Sequence, residues 1–480
     1  MTRCLSLAWK LLIVAVLAMD ADAQTLRQNE DLFRAGEKNP AIGENRPDPS
    51  ANLNRLSGVD RPNFVFLLCD DLGYGDLGCY GNTNILTPNL DKLAADGLRL
   101  TDCYSAAPVC SPSRAALLTG RIPQRLGIDD WIKPGSGIHL KRDETTIAQL
   151  LRKAGYKTAL FGKLHTNSRL DGSEPTPTDY GFQSWLCTQN NALPSHQSPT
   201  NFVRNGKPAG PMRGHATSIV VDEAINFIER SAGSPFLVFI TFHAPHEPIS
   251  TPSRITSLYP GETNAHRAAY FGSVSMVDAE VGRLLRTLDG RLLRNNTVVV
   301  FTSDNGPETL NRYRGSQNSY GSPGALRGMK LHVTDGGFRV PGIIRWPQVV
   351  QAGSVSAEPV SGLDLLPTFA ELAGVPVSKD LRLDGTSILP LLQGGELRRR
   401  QPLYWEYPAA LSAPWKLALR DGPWKLLSNP DFSRFELFNL AVDPSETASM
   451  ASLETNRVAQ MSHRLRQLHA EVNGLAAPVR

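Results

Sequence analysis

Short apolar runs rich in β-branched and aromatic residues alternate along this chain with amphipathic stretches. The clearest are residues 64–68 (FVFLL), 158–161 (TALF), 236–242 (FLVFITF) and 297–302 (TVVVFT). Runs of this length separated by helical segments predict βα units around a mainly parallel sheet. Each run hands over to polar residues of unusual chemistry: Cys69-Asp70-Asp71, Gly162-Lys163-Leu164-His165, His243-Ala244-Pro245-His246 and Ser303-Asp304-Asn305-Gly306. Open α/β sheets bind ligands beyond the carboxyl ends of their strands, so four strands delivering carboxylates, a lysine and histidines there describe one converging site.

The pattern changes near residue 396. LYWEY, WKLALRDGPWKLL and FELFNL follow, and Asp421-Gly422 between two apolar runs is a hairpin signal. Residues 397–480 therefore read as a smaller α+β unit, an antiparallel sheet with a closing amphipathic helix over residues 452–472. Residues 61–396 form the large α/β domain. Residues 24–60 are polar and rich in Asn, Pro and Gly, and read as an N-terminal extension. Residues 1–23 carry Arg3 and Lys10, an apolar stretch over residues 11–19 and the small-residue pattern Ala21-Asp22-Ala23. They read as a signal peptide cleaved near Ala23, about half the apolar length of a membrane span, which predicts an exported protein with no stable span.

Composition adds exclusions. Lys and Arg total 50 against 46 for Asp and Glu, a net charge of +4 without a basic run, which is no nucleic-acid footprint. There are six cysteines and no CxxC pair, which argues against a zinc ribbon or a dithiol redox site. Cleavage removes Cys4 and leaves five. Cys79, Cys103 and Cys187 read as turn or loop positions open to pairing, and Cys69 as a buried thiol. Trp131, Trp185 and Trp346 fit a core or a sugar platform equally.

In residues 109–121, VCSPSRAALLTGR, Ser111 as a cap, Pro112 at the first helical position and Gly120 as a stop predict a helix with Cys110 at its N-terminus. Free amides and the helix dipole favour an anion there and lower a thiol pKa, with Arg114 one turn on. Read from the residues alone, Cys110 is either a thiolate nucleophile or a buried helix-start cysteine.

Cys110-Ser111-Pro112-Ser113-Arg114 followed by Leu118-Thr119-Gly120-Arg121 resembles the signature of the type I sulfatases, in which the cysteine is oxidised to Cα-formylglycine. The resemblance continues in family order through NFVFLLCDDLGYGDLGCYG, LFGKLH, FHAPHEP, FTSDNG and LRGMKLHVTDGGFRVPGI. It implies an alkaline-phosphatase-like fold, a large mixed sheet sandwiched by helices with a smaller C-terminal sheet. It also implies hydrolysis of an aryl or carbohydrate sulfate, the glycan being favoured.

By resemblance Asp70, Asp71, Asp304 and Asn305, with the modified Cys110, are metal ligands, an oxygen set suited to Ca²⁺ or else Mg²⁺. The formylglycine hydrate is the nucleophile, His165 assists release of sulfate, and Arg114 and Lys163 hold the hydrate. His246 is the general acid and Lys330 neutralises sulfate oxygens. An ordinary imidazole titrates near pH 6.5, so the His246 role predicts activity falling at alkaline pH. Lys163 and His165 point to the same side if the chain stays extended. His243 reads as a hydrogen-bonded structural histidine. The resemblance implies a formylglycine-generating partner enzyme. Residues 166–217 and 307–325 are expected to rim the pocket. The rival readings are a phosphoester or phosphonate hydrolase of the same superfamily and a silent polysaccharide-binding protein.

Overall fold

In a computed structural model that describes residues 61–231, 233–309 and 319–474, the four apolar runs are four adjacent strands. The proposed signal peptide and extension lie outside the described residues. The large sheet comprises β1 (Asn63–Asp70), β2 (Leu98–Tyr104), β3 (Lys157–Lys163), β4 (Ser184–Thr188), β5 (Val203–Arg204), β6 (Lys207–Pro208), β7 (Phe236–Pro245), β8 (Thr297–Ser303), β9 (Arg339–Arg345), β10 (Ser354–Ser356) and β11 (Val360–Ser361). Its order is β10-β2-β9-β8-β1-β7-β3-β4-β5-β6, with β11 also paired to β2. Strands β8, β1, β7, β3 and β4 run parallel, and β9 lies antiparallel between β8 and β2, which makes the sheet mixed.

Strand β1 is buried along its whole length because both faces of the sheet are covered. Phe64, Phe66 and Leu68 face a core built with α2 (Cys110–Thr119), α3 (Ile147–Lys153) and α6 (Leu365–Leu372). Val65, Leu67 and Cys69 face the opposite core, built with α1 (Pro88–Ala95), α4 (Ala216–Arg230) and α5 (Ala265–Gly290). The period-2 alternation of side chains thus divides one strand between two cores. Each buried aliphatic or aromatic side chain contributes about 1.5–3 kcal/mol.

The smaller sheet is β12 (Leu403–Glu406), β13 (Leu417–Asp421), β14 (Trp424–Ser428) and β15 (Phe435–Asn439), antiparallel in chain order. Its β13–β14 hairpin turns through Gly422, whose φ of 52° lies in the left-handed region. Tyr404, Leu419, Leu426 and Leu437 pack under α7 (Thr455–Val472), whereas Trp405, Ala418, Leu427 and Phe438 pack against Tyr104, Cys110 and Phe338 of the large α/β region. A buried ionic network runs through this second face. Lys425 Nζ lies 2.7 Å from Asp335 Oδ1 and 2.8 Å from Glu446 Oε1, all three groups being fully buried. Arg420 and Arg339 share Asp102 at 2.5 and 2.9 Å.

One expectation needs correction. Cys103 and Cys187 are not in loops: they are buried residues of β2 and β4, where a side chain inside the sheet has no partner thiol beside it, and all five described cysteines are free. Trp185 and Trp346 are core residues, whereas Trp131 is 39% exposed.

Candidate active site

Strand pairing assembles the site. Because β1 and β8 are parallel with Cys69 opposite Ser303, Asp70-Asp71 and Asp304-Asn305 emerge side by side at the same sheet edge. The Asp71 N–H donates to Asp304 Oδ1 at 3.2 Å, and the Asp304 N–H to the Cys69 carbonyl at 3.1 Å. Asp71 has a φ of 64°, a left-handed turn that the short acidic side chain tolerates. Pairing of Asp70 with Pro245 across β1 and β7 places His246 next to these carboxylates, and β3 brings Lys163 from the other side of β7.

Each carboxylate meets a cation. Lys163 Nζ is 2.6 Å from Asp70 Oδ2, Arg114 Nε is 2.8 Å from Asp304 Oδ2, and Lys330 Nζ is 2.7 Å from Asp71 Oδ2. Arg114 also donates to the Lys163 carbonyl at 2.9 Å, which links α2 to β3. Lys330 is placed by its N–H to the Pro307 carbonyl, and the following Leu331 by its N–H to the Pro108 carbonyl.

A divalent cation fits this donor set. Asp70 Oδ1 and Asn305 Oδ1 are buried and accept no hydrogen bond among the described residues, while the Asn305 amide donates to Asp71 Oδ1 at 2.7 Å. Three carboxylates and one amide offer oxygens only, which favours a hard ion. Burial, with Asp70 and Asp71 nearby, pushes Asp304 up to about 7 in spite of Arg114. Burial also opposes ionisation of Asp70, but Lys163, His246, Arg114 and Lys330 outweigh it and hold that carboxyl well below the usual range. His246 Nε2 stands 3.6 Å from Asp71 Oδ2, and one atom each of Asp70, Asp71 and His246 cluster within 4.8 Å.

Helix α2 begins at Cys110, as its sequence predicts, but its cap is the backbone of Val109, not Ser111. Ser111 Oγ instead accepts the Ile132 N–H at 2.9 Å. Gly120 closes the helix at a φ of 67°. The Cys110 thiol is 4% exposed and burial raises its pKa, only partly offset by Lys163 and Lys330. Burial thus works against the lowering expected from the helix terminus.

The histidines separate by tautomer. His165 Nε2 lies 3.1 Å from the Ile132 carbonyl, which can only accept, so Nε2 carries the proton and the buried Nδ1 keeps a bare lone pair. Burial, Lys163 and Arg114 hold its pKa well below the ordinary value, leaving a neutral base. The chain does not stay extended here: β3 ends at Lys163 and His165 has a φ of 52°. His246 Nδ1 donates to the Glu247 carbonyl at 2.6 Å, which leaves Nε2 toward Asp71. His243 is structural, 1% exposed and 2.7 Å from Thr188 Oγ1. All ten site residues read from the sequence thus lie together.

Sequence reasoning missed Tyr407. It comes from the C-terminal region, packs in the same cluster as Cys110 and donates its hydroxyl to Asp130 at 2.8 Å. No motif marks it. Of the two expected rim segments, residues 310–318 lie outside the described residues. The adjoining Ser319 hydroxyl binds the Glu247 carboxylate, and the Ser322 carbonyl accepts the Gly75 N–H at 2.8 Å. A Cβ on Gly73 would stand 2.1 Å from that carbonyl, so the turn after Asp71 needs glycine there.

Residues 62–375 match the family profile described as Sulfatase, and residues 329–473 match that described as N-sulphoglucosamine sulphohydrolase, C-terminal. The chain is 36% identical to human arylsulfatase A over 399 residues, covering 76% of this chain and 74% of that protein. It is 32% identical to human steryl-sulfatase over 432 residues, covering 73% and 72%. Among solved structures, that of Ps i-CgsB in complex with k-i-k-neocarrahexaose superposes with a TM-score of 0.76 at 30% identity, covering 88% of this chain and 94% of that one.

Proposed function

The chain belongs to the sulfatase family and hydrolyses sulfate esters, and we propose that it does so through Cys110 oxidised to Cα-formylglycine by a separate maturation enzyme. The single observation that carries this reading is Cys110, buried at the N-terminus of α2 among Lys163, Lys330 and Arg114. A thiol in that state is a poor nucleophile, whereas an aldehyde hydrate offers two hydroxyls. One hydroxyl would supply the attack on sulfur with release of the alcohol, and the other the exit of sulfate with return to the aldehyde; the bare Nδ1 of His165 is the base available to take the second hydroxyl's proton.

Asp70, Asp71, Asp304 and Asn305 would hold a calcium ion, with magnesium as the alternative, joined by Cys110 once oxygen replaces its sulfur; the ion supplies Lewis-acid polarisation. Lys330 and Lys163 offset the sulfate charge, and Arg114 braces Asp304 and β3. After dialysis against EDTA, adding Ca²⁺ or Mg²⁺ is expected to raise the melting temperature, by about 2.7 kcal/mol of stability at 100 times Kd. Asp70→Asn should lose most of that gain. An unchanged melting temperature with both ions would remove the metal assignment.

His246 donates the leaving-group proton in this scheme. It must carry a second proton, on Nε2, and burial and Lys330 lower its pKa more than Asp71 raises it. The protonated fraction falls as pH rises through a value below the ordinary 6.5, so kcat/KM is expected to decline from the mildly acidic side. This moves the expected decline from alkaline pH to lower pH. In His246→Ala the descending limb should vanish, and a limb above about pH 8 would exclude His246 as the acid.

A sulfated glycan is the proposed substrate class, supported by the structural match to a protein solved with a neocarrahexaose. Export after cleavage near Ala23 is likewise proposed, supported by the composition of residues 1–23. The test is peptide mass spectrometry of the Cys110 fragment from protein made with a formylglycine-generating partner. It is paired with hydrolysis of a chromogenic aryl sulfate and its phosphate analogue. Thiol-to-aldehyde conversion with sulfate turnover supports the mechanism; turnover by the unmodified thiol, or phosphate turnover without the aldehyde, overturns it.

A further inference from the structure

The strap through residues 129–133 is tied to the catalytic residues on both sides of Trp131. Ile132 donates its N–H to Ser111 Oγ, next to Cys110, and accepts from His165 Nε2. Asp130 accepts the hydroxyl of Tyr407, which packs with Cys110. Ile132 is wholly buried and Asp130 is half-buried, so the indole between them emerges at the surface, 39% exposed. Lys133 Nζ stands 5.9 Å from the indole centroid, and the ring joins no ring–ring contact among the described residues. Beyond Tyr407, Leu411 is 48% exposed and its N–H donates to the carbonyl of Leu331, the residue after Lys330. Scattered exposed apolar residues are ordinary, but Ile132, next to Trp131, bonds Ser111 and His165, and Leu411 bonds Leu331, next to Lys330.

We propose that Trp131, with Lys133 beside it, forms a subsite for the saccharide ring next to the sulfated one, the indole stacking on the pyranose and the ammonium meeting an anionic substituent. An indole offers a large flat apolar face at little entropic cost, and a flanking cation suits a polyanionic glycan better than a neutral sterol or a lipid. Cys110 is buried and Trp131 is at the surface, so the indole serves a ring outside the catalytic pocket. The subsite rests on the glycan reading above and extends it to an oligomeric substrate.

The test uses full-length Cys110→Ala protein, which binds without turnover, titrated calorimetrically with carrageenan and chondroitin sulfate oligosaccharides of two to six rings. Affinity for one of the series should rise with ring number. Trp131→Ala should weaken the longer members about 10-fold, with the loss growing with ring number, and Trp131→Phe should restore much of it. Lys133→Gln should reduce the salt dependence of binding. Affinity independent of ring number throughout, or equal affinities in Trp131→Ala and its parent, would overturn the subsite. Failure of the underlying reading looks different: the matured wild type would turn over no sulfate ester, aryl or glycan.

Discussion

Cys110→Ala is expected to reduce sulfate-ester turnover by at least about 10⁴-fold while leaving the circular dichroism spectrum intact. On the proposed mechanism the size follows from the loss of the nucleophile, since Lys163, Lys330 and Arg114 can still bind sulfate without giving it anywhere to go. The fold should survive because the thiol makes no ion pair and alanine suits α2. Cys110→Ser sharpens the result. A serine hydroxyl that accepted the sulfuryl group would lack the second hydroxyl, so the expected outcome is at most one equivalent of alcohol released and a sulfated protein in the mass spectrum. Sustained turnover by either variant would show that the nucleophile lies elsewhere.

Lys425→Met is expected to cost about 3–5 kcal/mol, read as a large drop in urea midpoint or melting temperature. Lys425 faces both Asp335 and Glu446 at 2.7 and 2.8 Å in a fully buried setting, so its removal leaves Glu446 without its ammonium while Asp335 keeps Arg339 at 3.3 Å. Burial, with Asp335 nearby, already holds Glu446 at about 7 despite Lys425. Without the lysine the folded-state pKa of Glu446 rises further above its unfolded value. The variant's stability is then retained at low pH and lost as pH rises through that value, so the deficit should be larger at about pH 8 than at about pH 5.5. Activity should fall as well, because Asp335 begins the turn whose Gly337 carbonyl holds the Gly306 N–H beside Asp304 and Asn305. A deficit below about 1 kcal/mol, or one that grows on acidification, would contradict this account.

The large sheet and its site were legible because parallel strands covered on both faces are written as unbroken apolar runs, and because their C-terminal ends converge by geometry. Asp70, Asp304 and Lys163 stand two residues beyond such a run and His246 four. Local pattern was weaker where tertiary contacts decide. Cys103 and Cys187 sit in strands that read as loops, and Val109 caps α2 because Ser111 is engaged by Ile132. His165 leaves the extended region, and Cys110 and His246 take pKa directions that only burial reveals. Lys425, Asp335 and Glu446 are far apart in sequence and carry no motif, so their pairing was invisible.

The cluster that closes over Cys110 sets a schedule for biosynthesis. Its partners Phe338, Leu403, Trp405, Tyr407, Trp415 and Phe438 are all made long after residue 110 has left the ribosome. At about 5–20 residues per second, roughly 15–60 s separate the emergence of Cys110 from that of Trp405. During that interval the thiol cannot be enclosed as it is in the finished protein, and on the proposed maturation this is when an enzyme has access to it. A substitution that hastened burial of α2, or a delay in delivering the maturation enzyme, would therefore yield folded but permanently inactive molecules. The ratio of aldehyde to thiol at Cys110 would record the race between folding and modification in each host.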